Sequence, residues 1–183
     1  MTTFKILMSD DPDKFIYFAY GSNLLAKRMH ISNTTAVRKG IAKLKNYRLD
    51  FTRHSKRWHG CSATIIPTDG YTVWGALWEV DLKELPNLDK QEGVEQGIYH
   101  RCIISVELPD GSQKTCFVYG QVNNSAKRYK LKELPEERQP SQVYKDTIVN
   151  GALESKLPDE YSTLLQSIAC NDYNGDVDFN AVE

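Results

Sequence analysis

The chain has 183 residues, of which 40% are hydrophobic and 26% are charged, and its formal net charge is −1 at pH 7. A chain of this size and composition can bury one core, so we expect a single domain over residues 1–183 with flexible ends at 1–14 and 174–183. The balanced charge argues against a nucleic-acid-binding protein, because that role needs a broad basic surface.

The first predicted element is a buried strand that ends in a loop. Phe15 to Ala19 is short, apolar and rich in aromatic and β-branched residues, and Tyr20-Gly21-Ser22-Asn23 follows it. Leu24 to Met29 has a helical pattern, for which Ser22 or Asn23 is a suitable N-cap. The free amides of this turn suit a carboxylate or a developing oxyanion. Taken alone, the pattern is more typical of an ordinary connection.

The middle of the chain is predicted to consist mainly of strands. Tyr47, Leu49 and Phe51 alternate with polar residues, and Val73 to Val80 is again apolar. Several basic residues are interleaved with these apolar positions, and we expect them to form a solvent-exposed face. They are Lys45, Arg48, Arg53, Lys56 and Arg57.

A short helical segment is predicted to begin at Asp81, which can cap it with Glu84 at the capping-box position. Pro86 is expected to divide the segment into two pieces. Three leucines recur at a spacing that predicts one buried side. They are Leu82, Leu85 and Leu88.

Glu92 lies in the last turn of this segment, directly before Gly93, which is a typical helix stop. The negative end of the helix dipole disfavours a carboxylate there, and the neighbouring Leu88, Val94 and Ile98 add desolvation, so we expect a raised pKa. A carboxyl group that titrates nearer neutrality is useful as an acid and a base. A glutamate at a helix end is, on its own, also typical of a solvated surface.

The C-terminal half predicts a hairpin and a helix. Arg101 to Leu108 and Lys114 to Val122 flank Pro109-Asp110-Gly111, which is a hairpin signal. Tyr161 to Ile168 is amphipathic, with Pro158 in the first turn. Because strands and helices do not alternate regularly, we predict an α+β fold with a mixed, barrel-like sheet and peripheral helices.

Short segments spread over residues 15 to 177 form a specific series. The N-terminal members are Phe18–Leu24, Trp58–Gly60, Ala63–Ile65, Val73–Gly75, Leu88-Asp89 and Gln91–Val94. The C-terminal members are Pro140-Ser141, Tyr144-Lys145, Gly151-Ala152, Leu157-Pro158, Glu160-Tyr161 and Asn171–Tyr173. In order and spacing the series resembles the γ-glutamylcyclotransferase family. The resemblance implies a barrel and the conversion of an L-γ-glutamyl amino acid to 5-oxoproline and the free amino acid, with no cofactor.

The resemblance also implies roles for individual residues. Glu92 would accept and donate the proton, and the loop would hold the glutamyl group through Tyr20, Gly21, Ser22 and Asn23. Ala19 would line the same site, and Tyr144 would contact the substrate. Tyr144 also fits a simple packing pattern with Ile148 and Gly151, and Tyr119 is a secondary candidate for the pocket wall.

This reaction needs few protein groups. The substrate's own α-nitrogen can reach its γ-carbonyl and close a five-membered ring, so no activated serine or cysteine is required. One carboxyl group can take a proton from the α-ammonium and later return one to the departing amine. Fixed amide donors, for which Gly21 and Ser22 are suitable, would stabilise the developing oxyanion.

The chain departs from the family pattern in two places. Cys61 follows Gly60 where a second glycine is expected, and residues 125–139 form a longer and more basic segment. We expect this segment to be a surface loop that influences which leaving amino acids fit. Its cluster of Lys127, Arg128 and Lys130 around Tyr129 favours a solvated loop over a nucleic-acid site.

The remaining features concern metals, compartment and partners. The four cysteines contain no CxxC pair, which favours a reducing compartment over a disulfide framework. His54, His59 and Cys61 lack a fourth ligand, so we expect no metal site.

Met1 to Lys14 is polar rather than signal-like, and no stretch is long and apolar enough to cross a membrane. We therefore expect a cytoplasmic protein without membrane contact, and the resemblance implies a possible homodimer.

Two alternatives stay open at this point. A related cyclotransferase acting on glutathione or on γ-glutamylamines would use the same carboxyl group and loop, because only the leaving group differs. A noncatalytic binding module could also keep the fold and its pocket, although such a module has no use for the Glu92 carboxyl group.

Overall fold

The computed structural model describes residues 9–179, which include five strands and four α-helices. The strands are β1 (Lys14–Ala19), β2 (Val37–Ser55), β3 (Gly60–Asp81), β4 (Tyr99–Glu107) and β5 (Gln113–Gln121). The helices are α1 (Ala26–Met29), α2 (Leu85–Gln91), α3 (Gln142–Glu154) and α4 (Asp159–Gln166). Short 3-10 helices span Ser22–Leu24, Leu82–Glu84, Leu131–Glu133 and Glu136–Arg138. The predicted flexible ends lie outside the described residues at 1–8 and 180–183, and Lys14 already belongs to β1.

The strands close into a barrel in the order β1-β3-β2-β4-β5. The pairs β1–β3, β2–β3, β2–β4 and β4–β5 are antiparallel, whereas β1 and β5 run parallel where Tyr17 faces Phe117. The sheet is therefore mixed and barrel-like with helices at its edge, and the predicted α+β fold is confirmed. No helix within the described residues is long and apolar enough to span a membrane.

Strand β1 is buried on both faces. Ile16 and Phe18 belong to one apolar cluster, while Phe15 and Tyr17 belong to a second cluster on the opposite face. This explains why the sequence of β1 is continuously apolar rather than alternating. The double burial fixes the end of β1, and with it the start of the loop that follows.

Helix α3 packs directly behind that loop. A Cβ atom added at Gly151 would lie 2.5 Å from the backbone nitrogen of Leu25 and 2.6 Å from the Cβ of Leu24. Only glycine permits such a close approach of the two backbones. The loop is thus held by β1 at its beginning and by α3 at its back.

The segment from Asp81 to Gly93 differs from its prediction in two details. The division near Pro86 is confirmed, because a 3-10 helix ends at Glu84 and α2 begins at Leu85. The capping box is wrong, since no side chain caps the 3-10 helix and the Glu84 carboxylate instead accepts hydrogen bonds from Thr34 and Thr35. Leu82 is also not on a buried side, because it is 47% exposed while Leu88 is fully buried.

The hairpin and the last helix follow their predictions. Strands β4 and β5 flank the turn around Asp110, whose Oδ1 accepts hydrogen bonds from the amide and hydroxyl groups of Ser112. Helix α4 begins directly after Pro158. These elements complete the barrel wall and its rim without contributing a catalytic carboxylate.

The basic segment 125–139 is not only a surface loop. Arg138 is buried and donates hydrogen bonds to Asp50 Oδ1 at 2.6 Å and to the carbonyl oxygen of Phe51. Asp50 also accepts a bond from Arg48 Nε at 3.2 Å on its other oxygen and one from the Phe51 amide at 2.8 Å. A buried carboxylate with charged partners on both oxygens thus ties the segment to strand β2.

Candidate active site

A cleft of about 300 Å³ lies where β1 ends, and the predicted loop and Glu92 meet in it. We call it the loop cleft. Its lining residues are Tyr17, Tyr20, Gly21, Ser22, Asn23, Ala63, Glu92, Tyr99, Tyr119 and Tyr144. Six of the seven residues predicted for the site are therefore brought together. Ala19 is the exception, because it is fully buried in the core behind the loop.

The loop turns sharply at Gly21, which precedes the 3-10 helix Ser22–Leu24. The helix predicted over Leu24 to Met29 begins only at Ala26, with Leu25 at its N-cap position. The predicted N-cap role of Ser22 or Asn23 is therefore wrong, and both residues lie inside the preceding 3-10 helix. Among the described residues, no acceptor takes a hydrogen bond from the amides of Gly21 or Ser22. Both donors are thus available to a ligand in the loop cleft.

Asn23 connects the loop to the acid. It is buried, and its Nδ2 donates to the Tyr17 hydroxyl and to Glu92 Oε1, both at 3.1 Å. Its Oδ1 accepts from Gln91 Nε2 at 3.0 Å, and its carbonyl oxygen accepts from Trp78 Nε1 at 3.0 Å. A side chain predicted to cap a helix instead fixes the distance between loop and carboxylate.

Glu92 ends helix α2, and Gly93 directly after it has a φ of 67°, which favours glycine. The predicted helix stop is therefore confirmed. Glu92 Oε1 accepts hydrogen bonds from Asn23 and, at 3.2 Å, from Gln91 Nε2. No described residue donates a hydrogen bond to Oε2. One oxygen of the carboxyl group is thus held by neutral donors, and the other remains available.

Burial raises the pKa of the Glu92 carboxyl group above its usual range. The positive charges of Arg28 and Arg57 and the hydrogen bonds from Gln91 and Asn23 oppose this shift only in part. The expected direction is confirmed, with desolvation as the main physical cause. A carboxyl group with this behaviour exchanges protons nearer neutral pH than an exposed glutamate does.

Tyrosines form most of the remaining wall of the loop cleft. Tyr144 is buried, and its hydroxyl accepts a hydrogen bond from the Ala63 amide at 3.1 Å, while Tyr99 donates to the Ala63 carbonyl at 2.7 Å. Tyr119 donates to Asp89 Oδ1 at 2.6 Å. Burial raises the pKa of each of these phenols, so all three stay protonated near neutral pH.

Tyr20 uses its hydroxyl inside the barrel. The group donates to the carbonyl oxygen of Tyr119 at 2.6 Å. Tyr20 therefore contributes its ring to the cleft, while its polar end bridges β1 and β5. Of the wall residues, Tyr17 and Tyr99 were not predicted from the sequence, although Tyr17 lies in the strand that leads into the loop.

A second cavity of about 420 Å³ adjoins the loop cleft and shares Ser22, Glu92, Tyr99 and Tyr144 with it. We call it the arginine cavity. Its other lining residues are Arg28, Arg53, Ser55, Arg57, Trp58, Ser62, Gln91 and Ile98. The prediction that Arg53 and Arg57 belong to a solvent-exposed face is wrong, since both are half-buried here. Arg48 likewise points to Asp50 rather than to solvent alone.

Sequence reasoning also missed Arg28. It follows the buried Leu24 by four residues, a spacing that places both on one side of the predicted helix Leu24 to Met29. That spacing was an available signal.

Within residues 9–179, no group of three or more His, Cys, Asp or Glu side chains is placed to hold a metal ion.

Comparisons with known proteins agree on one family. The model of the AIG2-like family matches residues 72–165. A γ-glutamylcyclotransferase of Bos taurus is 41% identical over 175 residues, which cover 93% of this chain and 87% of the bovine protein. A Homo sapiens γ-glutamylcyclotransferase is 38% identical over 177 residues, which cover 94% of this chain and 88% of the human protein. A solved γ-glutamyl cyclotransferase structure superposes with a TM-score of 0.81 at 38% identity, covering 90% of this chain and 94% of the other. The chain belongs to the γ-glutamylcyclotransferase family.

Proposed function

We propose that this chain is a γ-glutamylcyclotransferase that converts L-γ-glutamyl amino acids into 5-oxoproline and the free amino acid without a cofactor. The observation that carries the proposal is that Glu92 and two amides without acceptors line one small cleft. The pKa of the Glu92 carboxyl group is raised, and its Oε2 has no described donor. The names of the relatives at 38–41% identity support the same reaction.

The reaction begins with a proton transfer. The α-ammonium of the substrate gives a proton to Glu92 Oε2, and the resulting amine attacks the γ-carbonyl carbon of the same glutamyl group. A carbon–nitrogen bond forms, the ring closes, and the carbonyl oxygen becomes an oxyanion. We assign the amides of Gly21 and Ser22 to stabilise this oxyanion, because fixed donors in a small cleft need no reorganisation.

The intermediate then collapses. The oxyanion returns to a carbonyl as the original amide bond breaks, and the protonated Glu92 donates its proton to the nitrogen of the departing amino acid. The ring nitrogen loses its second proton in the same collapse, and the departing amine takes up an equivalent proton to leave as an ammonium group. The products are 5-oxoproline and a free amino acid, and no water is consumed. Glu92 returns to its starting protonation state, so one carboxyl group serves both steps.

The cleft wall restricts the substrate to a folded shape. Tyr20, Asn23 and Tyr144 line the loop cleft and would confine the carbon chain of a glutamyl group bound there. Excluding extended conformers brings the α-nitrogen near the γ-carbonyl carbon, and such positioning contributes several kcal/mol to catalysis. In this proposal Tyr144 contacts the substrate, whereas Ala19 only supports the loop from behind.

The test measures 5-oxoproline release from γ-glutamyl dipeptides, glutathione and γ-glutamylamines. Glu92→Gln removes the exchangeable proton but keeps the size of the side chain, so we expect kcat to fall by about 10²- to 10⁴-fold while the substrate still binds. Glu95→Gln is the matched control, because Glu95 is exposed and lies three residues further on. Normal turnover by a folded Glu92→Gln variant would contradict the proposal.

The same assay separates the alternatives. We expect dipeptides to be processed and glutathione much less. Turnover of glutathione in preference to dipeptides would indicate a glutathione-specific cyclotransferase. Saturable binding of a dipeptide with no 5-oxoproline release would indicate a noncatalytic binding module.

Three finer features belong to the same proposal. The described cysteines are all free thiols, which fits a reducing, cytoplasmic compartment. A role in glutathione metabolism is proposed from the family resemblance alone. A homodimer is the assembly we propose from the resemblance. Sedimentation of the purified chain over a concentration series measures this assembly, and fractionation of cells measures the location.

A further inference from the structure

We propose that the arginine cavity binds the carboxylate of the leaving amino acid and so selects γ-glutamyl amino acids over γ-glutamylamines. The inference rests on the proposed function, and it assigns to Arg28 a role in recognising the half of the substrate that departs. Arg53 and Arg57 are assigned a supporting role through their positive charge.

The position of the cavity is the first argument. The loop cleft and the arginine cavity share Ser22, Glu92, Tyr99 and Tyr144, so Glu92 stands at the boundary between them. The amide bond that breaks must lie beside Glu92, because its nitrogen receives the proton. A substrate with its glutamyl half in the loop cleft therefore extends its leaving half into the arginine cavity.

The state of Arg28 is the second argument. The residue is only 5% exposed, and its Nε is buried with no described residue accepting a hydrogen bond from it. No ion pair of Arg28 occurs within 4.0 Å among residues 9–179. A buried guanidinium without acceptors is unfavourable, so an anion that reaches it gains a strong, charge-assisted bond.

Aromatic rings keep Arg28 in place. Its Cζ lies 4.8 Å from the centre of the Phe179 ring, and Phe179 in turn contacts Trp58 with ring centres 5.6 Å apart. These rings cover the guanidinium from outside and leave the cavity side for a ligand. The described contacts of Arg28 thus hold the side chain without neutralising it.

The charge of the cavity is the third argument. Three arginines and one acidic residue, Glu92, are among the described lining residues. Because the pKa of Glu92 is raised, this carboxyl group offsets the arginines less than an exposed glutamate would. Arg28, which has no described ion pair, therefore gives its part of the cavity a positive charge, as a site for an anion should have.

The chemistry of the substrate supplies the matching anion. A γ-glutamyl amino acid carries two carboxylates, one on the glutamyl half and one on the leaving half. The second carboxylate lies one carbon away from the nitrogen that Glu92 protonates, so it falls just beyond Glu92 in the direction of Arg28. A γ-glutamylamine has no such group and gains nothing from the arginines.

The test compares γ-glutamyl-alanine with its neutral carboxamide, γ-glutamyl-alaninamide, in the 5-oxoproline assay. For the unmodified protein we expect kcat/KM to be about 10- to 100-fold higher for the acid, mainly through KM. Arg28→Gln should reduce this ratio to about 1 by raising the KM of the acid alone, and Arg28→Lys should restore part of it. Arg128→Gln, which removes an exposed arginine of the basic segment, should leave the ratio unchanged.

Each outcome is informative. Equal kcat/KM for the two forms in the unmodified protein would overturn the carboxylate site and leave the proposed cyclotransferase standing, whereas no 5-oxoproline from either form would overturn the proposed function. An equal fall of kcat for both forms in Arg28→Gln would show that Arg28 acts through Glu92, and the carboxylate site would be rejected. If Arg28→Gln does not fold, Arg28→Lys decides: an acid-to-amide ratio between that of the unmodified protein and 1 supports the site, and an unchanged ratio overturns it.

Discussion

Two carboxyl groups in this molecule, the buried Asp50 and the half-buried Glu92, have opposite surroundings. Asp50, 2% exposed on strand β2, has a charged partner on each oxygen, namely Arg138 at 2.6 Å and Arg48 at 3.2 Å. Glu92 has only two neutral amide donors, and both contact Oε1. Arginines also line the adjoining cavity, and the positive charges of Arg28 and Arg57 oppose the rise in the pKa of Glu92 only in part.

The comparison separates a structural carboxylate from the one that we propose to be reactive. Removing a charged group from water is costly, and close cationic partners on both oxygens offset that cost for Asp50. Glu92 keeps one oxygen available and titrates at a raised pKa, which general acid and base catalysis requires.

The largest expected effect comes from breaking the structural pair. Asp50→Asn leaves two guanidinium groups beside a neutral side chain, so we expect the free energy of unfolding to fall by about 3–5 kcal/mol. Urea denaturation measures this change, and the folded fraction should keep its kcat/KM. Asp110→Asn at the exposed hairpin turn is the control. A loss below about 1 kcal/mol in Asp50→Asn would remove the contrast between the two carboxyl groups.

A smaller effect is expected from Glu92→Gln on thermal stability. Because the folded-state pKa is raised, protonated Glu92 contributes stability that is complete below about pH 4.3, its unfolded-state pKa, and is lost as pH rises through the folded-state value. Glutamine stays uncharged at every pH, so the Glu92→Gln variant does not lose this stability as the pH rises. The Tm of the variant should therefore exceed that of the unmodified protein by a few degrees at neutral pH, and the two should converge in acid.

Calorimetry from acid to neutral pH measures that difference. A Tm gap that stays constant across the range would mean that the charge of Glu92 is as well tolerated in the fold as in water. In that case the raised pKa, and with it the contrast to Asp50, would be wrong. Glu95→Gln should show no gap at any pH in this range, because its side chain is exposed.

The smallest effects concern the two donors on Glu92 Oε1. Hydrogen bonds from Asn23 and Gln91 lower the pKa of Glu92, so Asn23→Ala or Gln91→Ala should move the acid limb of the pH profile of kcat/KM upward. We expect kcat at its optimum to change by about 10-fold or less. Asn87→Ala, an exposed residue of the same helix, is the control. A downward shift of the limb would contradict the assigned contacts.

The sequence predicted the parts of the site that depend on local rules. The buried strand, the glycine turn and the helix stop at Gly93 each have a short-range signature, and together they place Glu92 opposite the loop. The tyrosine wall depends on the barrel closing, because Tyr99 and Tyr119 lie on β4 and β5 and reach the cleft only through long-range pairing. No local pattern contains that information.

The arginines were misjudged for a specific structural reason. The β2–β3 pairing shifts register between Phe51 and Arg53, so simple alternation along β2 no longer tells which residues face solvent. Arg53 consequently lines a cavity that the basic composition of this stretch did not reveal, and Arg57 reaches the same cavity from the turn that follows β2. In the same way, Arg138 was assigned to a surface loop because its partner Asp50 lies 88 residues away.

The contact between Gly151 and the loop means that helix α3 positions the loop as well as Tyr144. Tyr144 lies seven residues earlier on the same helix, so the position of α3 determines both where Tyr144 lies in the cleft wall and where the back of the loop packs. A single methyl group at position 151 would act as a wedge, driving the amides of Gly21 and Ser22 away from the phenol opposite. The absence of a side chain at Gly151 therefore sets the width of the loop cleft, although Gly151 does not line that cleft.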